Sequence, residues 1–106
     1  MVLVEFSIFP TDKGESVSSY VAQVIDLIDR SGVDYQLTPM GTILEGDWES
    51  VNKVVSDCVK LLEGQSNRIY MSLKMDYRKG SESRLKSKVE KVARLMGRQP
   101  RIAGQD

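Results

Sequence analysis

Histidine is absent from this sequence of 106 residues, and cysteine occurs once, at Cys58. Without histidine, Ser-His and Cys-His nucleophile pairs, histidine general bases and nearly all zinc or iron sites are excluded. A single cysteine excludes an intramolecular disulfide and CxxC redox chemistry. No pattern of Asp, Glu, Lys, Arg, Tyr or Ser combines a nucleophile with a base, so the sequence predicts a protein that is not an enzyme.

Long apolar runs are also missing. No run reaches about 18 apolar residues, so no membrane partner is predicted, and no basic leader precedes the first apolar stretch. Hydrophobic residues make up 41% and charged residues 28% of the chain, as in ordinary globular proteins. We therefore expect a cytoplasmic protein with a single domain over residues 1–106, of which 97–106 form a loose tail.

The formal net charge is zero, but the charges are unevenly distributed. Residues 1–53 contain three basic and nine acidic residues, whereas residues 54–106 contain twelve basic and six acidic ones. The basic half could form an anion or nucleic-acid surface, or it could be a solvated helix face with charge complementarity inside the fold or between subunits. Its only aromatic residues are Tyr70 and Tyr77, and no nucleic-acid motif is present, so we favour the second interpretation and predict no nucleic-acid partner.

Apolar periodicity predicts seven secondary-structure elements. Alternation over Val2–Phe9 predicts a half-buried strand, and helical spacing predicts a helix over Ser16–Ser31 with Ser16 as its N-cap and Gly32 after its end. A hairpin is predicted next, with arms Tyr35–Thr38 and Thr42–Glu45 around Pro39–Gly41, followed by a helix from the N-cap Asp47 to Gly64. A strand over Asn67–Asp76 and a linker over Tyr77–Glu82 lead to a last helix that ends at Gly97. The apolar stripe of this last helix consists of Leu85, Val89, Val92 and Met96.

This order predicts an α+β fold, a ferredoxin-like βαββαβ sandwich with an extra C-terminal helix. Two helices then cover one face of a four-stranded antiparallel sheet. The opposite face, which we call the open face, is too polar for a second core and suits a subunit interface or a pocket between subunits. The residues expected there are Glu5, Ser7, Arg68, Tyr70, Ser72 and Lys74.

Several side chains allow both a structural and a functional interpretation. Glu5 and Glu45 lie among apolar strand residues, where a carboxylate needs either a basic partner such as Arg68 or Lys74, or a cationic ligand. Asp76-Tyr-Arg78 could be an ion pair that holds a loop, or Arg78 and Lys79 could bind an anion. Cys58 lies on an apolar helix stripe and is expected to be a buried, unreactive side chain.

The segment from Tyr35 to Gly46 reads YQLTPMGTILEG and is followed by an acidic residue and Trp48. It is similar to the signature of a family of small thiamine-binding proteins, formerly uncharacterised conserved proteins related to the YkoF-like thiamine carriers. Weaker matches extend the resemblance over residues 2 to about 97: Glu5–Pro10, Ser19–Val21, Arg68 and Lys74–Arg78.

The resemblance implies a ferredoxin-like fold, a homo-oligomer built as dimers and then tetramers, and binding of thiamine or its hydroxymethylpyrimidine half without catalysis. Thiamine is then a ligand, and no cofactor is expected. The matching motif positions imply that Thr42 and Glu45 contact the pyrimidine. Further candidates are Glu5, Ser7, Arg68 and Tyr70 on the open face, and Tyr20 near the sheet edge.

Thr42 and Glu45 have opposite parity, so a regular strand would send them to opposite faces of the sheet. Either a bulge intervenes or only one of the two lines a pocket. The alternative function is a regulatory or scaffolding ferredoxin-like module that senses another small metabolite, because this fold hosts many functions.

Overall fold

The computed structural model describes residues 1–101, and it confirms the predicted α+β architecture. The four strands form one antiparallel sheet in the order β2-β3-β1-β4. Residues 102–106, half of the tail predicted over 97–106, lie outside the described residues. The elements are β1 (Val2–Pro10), α1 (Ser18–Ser31), β2 (Asp34–Thr38), β3 (Gly41–Gly46), α2 (Trp48–Glu63), β4 (Ile69–Tyr77) and α3 (Arg84–Met96).

The core lies between the sheet and two helices, α1 and α2. Alternate residues of β1 are buried along its whole length, because every second side chain of a strand points to the same face. These side chains pack against the apolar stripes of both helices. The fully or almost fully buried apolar residues are Val2, Val4, Phe6, Ile8, Val24, Ile28, Leu44, Val51, Val54, Val55, Cys58 and Leu62.

Four of the five predicted helix-end residues, Gly32, Asp47, Gly64 and Gly97, occupy the predicted ends, and Ser16 does not. Asp47 caps α2, since its carboxylate accepts from the Ser50 N–H at 3.0 Å and from the Ser50 hydroxyl at 2.8 Å. Gly32 ends α1 in the left-handed region, with φ of 81°. The predicted cap Ser16 is wrong: α1 begins at Ser18, and Val17 occupies the N-cap position without a side-chain hydrogen bond.

The start of β4 also differs from the prediction. Asp12 accepts from the Asn67 N–H at 2.8 Å and from the Ser66 hydroxyl, which holds this segment as a loop. The strand therefore begins at Ile69 rather than Asn67, and it continues to Tyr77, which the sequence assigned to the linker.

The hairpin turn consists of Pro39 and Met40, and Gly41 already belongs to β3. Gly41 does not have the positive φ that a turn exit would require. A Cβ atom at this position would lie 3.1 Å from the Phe6 carbonyl oxygen. A glycine is therefore favoured here because β1 and β3 approach closely, as glycines inside strands often indicate.

The apolar residues of β4 face the helix side of the sheet, but most of them do not belong to the core. Met71, Leu73 and Met75, here called the β4 row, point to the helix side of the sheet, since they lie opposite Ile8, Phe6 and Val4 of β1. They are nevertheless 38–48% exposed. The reason is geometric, because α1 and α2 pack mainly over β1 and β3, whereas β4 lies at the sheet edge.

The last helix is also weakly covered. Beyond its first turn, α3 makes few contacts with the other elements, and Val89, Val92 and Met96 on its apolar stripe are 42–48% exposed. Within residues 1–101, no helix is both long enough and apolar enough to cross a membrane.

Candidate functional site

A cavity of about 290 Å³ lies where β1 runs past the end of the β2–β3 hairpin. Pairing between β1 and β3 ends at Phe6 and Thr42, although β1 continues to Pro10. The gap is roofed by α1 and closed at one side by the hairpin turn. We call it the hairpin-tip cavity; its wall is formed by Phe6–Phe9, Val21, Val24, Ile25 and Leu37–Thr42.

Thr42 is the buried polar side chain of this cavity. It is 6% exposed and shares the helix-side face of the sheet with its strand neighbour Phe6. The hydrogen bonds formed within residues 1–101 do not include its hydroxyl. No fully buried side-chain oxygen or nitrogen in that range lacks a partner, so this hydroxyl reaches the cavity surface. The Thr38 hydroxyl, by contrast, donates to the Gly41 carbonyl at 2.7 Å. A hydroxyl can both donate and accept, so Thr42 offers the cavity an available polar contact inside an otherwise apolar wall.

The strand edge of β1 is a second source of polar contacts. Ser7, Ile8 and Phe9 pair with β4 on one side, while the ladder to β3 has ended at Phe6. Main-chain groups along this stretch border the cavity, because all three residues line it. A planar ligand with donors and acceptors on one edge could bind there as a short strand would.

Glu45 lies at a different place. It is opposite Leu3 on the open face, so β3 is regular and Thr42 and Glu45 point to opposite faces, as their parity predicts. Along β3 they are three residues, or about 10 Å, apart. One pocket in one chain therefore does not contain both side chains, and Thr42 is the one that lines a cavity.

The carboxylate of Glu45 holds the start of α3. It is 3% exposed, and it accepts from the Ser83 hydroxyl at 2.6 Å and from the main-chain N–H groups of Arg84 at 2.5 Å and Leu85 at 3.3 Å. A buried carboxylate at a helix N-terminus is stabilised by such charge-assisted hydrogen bonds. We call this arrangement the Glu45 clamp.

Arg84 completes the attachment of α3. Its guanidinium, 7% exposed, donates to the Asp76 carboxylate at 2.7 Å and to the Asp76 carbonyl at 3.0 Å. The predicted pair between Asp76 and Arg78 is also present, but at 3.7 Å it is longer. Neither Ser83 nor Arg84 was among the predicted site residues. The available signal was a serine directly before the last helix, because serine is a preferred residue at a helix N-cap.

The open face carries the other predicted site residues. Glu5 pairs with Lys74, with 3.1 Å between Oε1 and Nζ. Ser7 lies opposite Ser72, and the rings of Phe9 and Tyr70 have centroids 5.8 Å apart. Glu5 thus forms an ion pair with Lys74, which was one of the two interpretations predicted for this carboxylate.

Two further candidates lie outside these groups. Arg68 precedes β4 and is exposed. Tyr20 on α1 is half-buried and packs against the core. The structure therefore brings Thr42 and the main chain of Ser7 to the hairpin-tip cavity. It places Glu5, Tyr70 and Glu45 on the open face, where the start of α3 covers Glu45.

Cys58 and metal chemistry contribute nothing to this site. Burial raises the pKa of the Cys58 thiol to about 12, so the nucleophilic thiolate is scarce. Groups of His, Cys, Asp and Glu that could hold a metal ion do not occur in the part of the chain that the structure describes.

Comparison with known proteins adds independent information. A family model described as "Thiamine-binding protein" matches residues 4–93. A UPF0045 protein of Methanocaldococcus jannaschii is 33% identical over 94 residues, which cover 89% of this chain and 94% of that protein. A UPF0045 protein of Mycobacterium bovis is 35% identical over 96 residues, covering 90% and 94%.

Solved structures agree with this assignment. The crystal structure of the M. jannaschii protein superposes with a TM-score of 0.79, covering 87% of this chain and 95% of that one. A Thermotoga maritima protein named "putative thiamine biosynthesis/salvage protein" superposes with a TM-score of 0.75 at 25% identity, covering 86% and 97%. With the fold, the hairpin motif and these matches in agreement, the chain belongs to the thiamine-binding protein family, which includes the UPF0045 proteins.

Proposed function

We propose that this protein binds thiamine, or its hydroxymethylpyrimidine half, in the hairpin-tip cavity and does not catalyse a reaction. The observation that carries the proposal is the Thr42 hydroxyl, which belongs to the cavity wall and makes no hydrogen bond within residues 1–101. The family description and the name of the T. maritima protein support the choice of ligand.

The chemistry of the cavity fits the pyrimidine half of the ligand. An aminopyrimidine has flat apolar faces and an edge of donors and acceptors. The faces would pack against the apolar wall, and the edge would bond the Thr42 hydroxyl and the main chain of Ser7–Phe9. A volume of about 290 Å³ lies at the lower end of small-molecule pockets, which span roughly 300–1,000 Å³.

The cationic thiazolium half would lie towards the open face. Phe9 lines the cavity and stands next to Tyr70, so an aromatic pair lies near that side. Aromatic rings attract cations, and the Glu5 carboxylate on the same face would add to that attraction. In this arrangement Ser7 and Thr42 contact the pyrimidine, and Glu5 and Tyr70 act on the charged half.

A Thr42→Val variant tests the site. Valine preserves the shape of threonine and removes the hydroxyl, so we expect thiamine affinity to fall about tenfold, as for the loss of one buried hydrogen bond. Isothermal titration with thiamine and with hydroxymethylpyrimidine measures both affinities. The control is Ser56→Ala, which removes a hydroxyl from α2, a helix with no residue in the cavity wall, and should leave binding unchanged.

Two outcomes would contradict the proposal. Absence of heat from wild-type protein at several temperatures would remove thiamine as the ligand and favour the alternative of a module that senses another metabolite. Equal affinities of wild type and Thr42→Val would show that the ligand binds elsewhere.

We also propose that the protein is a homo-oligomer, organised as a dimer of dimers. Three unpartnered features support this: the free edge of β4, the β4 row on its helix-side face, and the apolar stripe of α3. The α3 stripe does not cover the β4 row of its own chain, since the Glu45 clamp fixes the start of α3 on the open face, whereas the β4 row points to the helix side. A second copy supplies a matching surface for each.

A further inference from the structure

A second cavity, of about 280 Å³, lies at the opposite end of β1, where β4 ends and α3 begins. Three basic side chains line it, those of Arg78, Lys79 and Arg84. Glu82 is the acidic residue of its wall, and Ser87 contributes a hydroxyl. We call it the basic cavity.

Arg84 gives this cavity a fixed cationic group. Its side chain is 7% exposed and is held by Asp76. The hydrogen bonds within residues 1–101 use one Nη1–H and both Nη2–H groups, with the Met1 carbonyl as a long contact at 3.5 Å. A guanidinium has five N–H donors, so Nε–H and one Nη1–H remain for a ligand.

Arg78 and Lys79 add two more mobile charges. Arg78 is 63% exposed, and its 3.7 Å contact with Asp76 leaves most of its donors unused. The salt bridges of the described chain do not include Lys79. The carbonyl oxygens of Arg78 and Gly80, which would repel an anion, each accept from the Met1 nitrogen at 2.9 Å.

We propose that the basic cavity binds a small molecule through phosphate groups. Arginine and lysine next to a hydroxyl are the donor set that phosphate oxygens prefer. The planar guanidinium of arginine donates two hydrogen bonds in a fixed direction, and the lysine ammonium adds a positive charge. A cavity of about 280 Å³ has room for more than one phosphate group. We therefore assign a diphosphate as the preferred group.

This site is separate from the hairpin-tip cavity. Val2 and Ile8, near the two ends, are six residues apart on β1, which corresponds to about 20 Å. A molecule of the size of thiamine does not reach both cavities in one chain. The proposal therefore does not depend on the proposed function.

The test is isothermal titration of the whole protein with inorganic pyrophosphate in phosphate-free buffer at constant ionic strength. We expect saturable binding that the double variant Arg78→Gln/Lys79→Gln weakens at least about tenfold, because two charge-assisted contacts are lost. The matched control is Lys88→Gln/Lys91→Gln, which removes the same charge from exposed positions of α3 outside the cavity and should leave the affinity within about twofold.

Several results would overturn the proposal. Absence of saturable binding would do so, and so would an equal loss in both double variants, which would indicate non-specific attraction to a basic surface. Orthophosphate, titrated in parallel, should bind more weakly; equal or tighter binding would contradict the diphosphate assignment.

Thiamine titrations on the same proteins keep the two sites distinguishable. The Arg78→Gln/Lys79→Gln variant should bind thiamine like the wild type. If wild type fails to bind thiamine but binds pyrophosphate, the proposed function is wrong and the basic cavity stands.

Discussion

At the scale of single residues, burial decides the chemistry of Cys58. The side chain is fully buried among apolar residues of α2, and desolvation is the main cause that raises the pKa of its thiol, from 9.0 to about 12, with the nearby Asp57 charge as a smaller one. The thiol is thus neutral at every physiological pH. Its place in the chain is that of a small apolar residue.

This predicts a pH dependence with a definite sign. The folded-state pKa is raised, so the stability that Cys58 contributes is fully present below the unfolded pKa near 9 and is lost as pH rises towards 12. At pH 8 iodoacetamide should label native protein far more slowly than urea-unfolded protein. Equal labelling rates would show that the thiol is accessible and ionised in the native state.

The residue scale also shows what sequence reasoning can and cannot reach. The opposite faces of Thr42 and Glu45 follow from their parity, and in the structure Thr42 lines the hairpin-tip cavity while Glu45 points to the other face. The partners of Glu45 could not be read in the same way, since Ser83 lies 38 residues further along the chain. The position of a residue along a strand predicts the sheet face to which its side chain points. It does not predict which distant segment of the chain packs against that face.

At the scale of elements, α3 is attached through its first turn. The Glu45 clamp and the pair of Arg84 with Asp76 form that attachment, and the rest of the helix contacts little of the described domain. Helix α3 was predicted correctly from its period of 3.6 residues. The exposure of its apolar stripe was not predictable, because a periodic pattern shows which side of a helix is apolar but not which element packs against that side.

A Glu45→Gln variant tests this attachment. The carboxamide oxygen can still accept from the Arg84 and Leu85 N–H groups, and its N–H₂ group can donate to the Ser83 hydroxyl. The negative charge at the helix N-terminus is lost, so we expect the free energy of unfolding to fall by about 1–2 kcal/mol. Amide hydrogen exchange in the first turn of α3 should become faster. The control is Glu90→Gln, the same chemical change at an exposed position of the same helix.

The same variant separates two roles for Glu45. The motif resemblance implies a pyrimidine contact, whereas the clamp implies a structural role. If Glu45→Gln binds thiamine like the wild type while α3 exchanges faster, the structural role holds. Weaker thiamine binding with unchanged exchange would favour the ligand contact instead.

At the scale of the whole molecule, the charge asymmetry and the apolar surfaces have a common explanation. The first half of the chain is acidic and the second half is basic, and basic residues flank the exposed stripe of α3. A second copy could cover the stripe while its acidic surface neutralises the flanking charges. The location of the protein in the cytoplasm and the absence of a cofactor stay predictions.

Light scattering tests the oligomer. We expect wild-type protein at about four times the chain mass of 11.9 kDa, and a smaller particle for Val92→Glu, which places a charge on the α3 stripe. The control is Leu95→Glu, a change on the same helix at a residue that is 80% exposed and off the stripe. A wild-type mass near 11.9 kDa would contradict the oligomer.

The free edge of β4 has a further consequence for the life of the chain before assembly. An edge strand of nine residues is a template for indiscriminate cross-β pairing. Lys74 and Asp76 place charges on the open face of this strand, and such charges on an edge strand act as gatekeepers against aggregation. We therefore expect freshly synthesised subunits to be vulnerable to amyloid-like association until a partner subunit covers this edge.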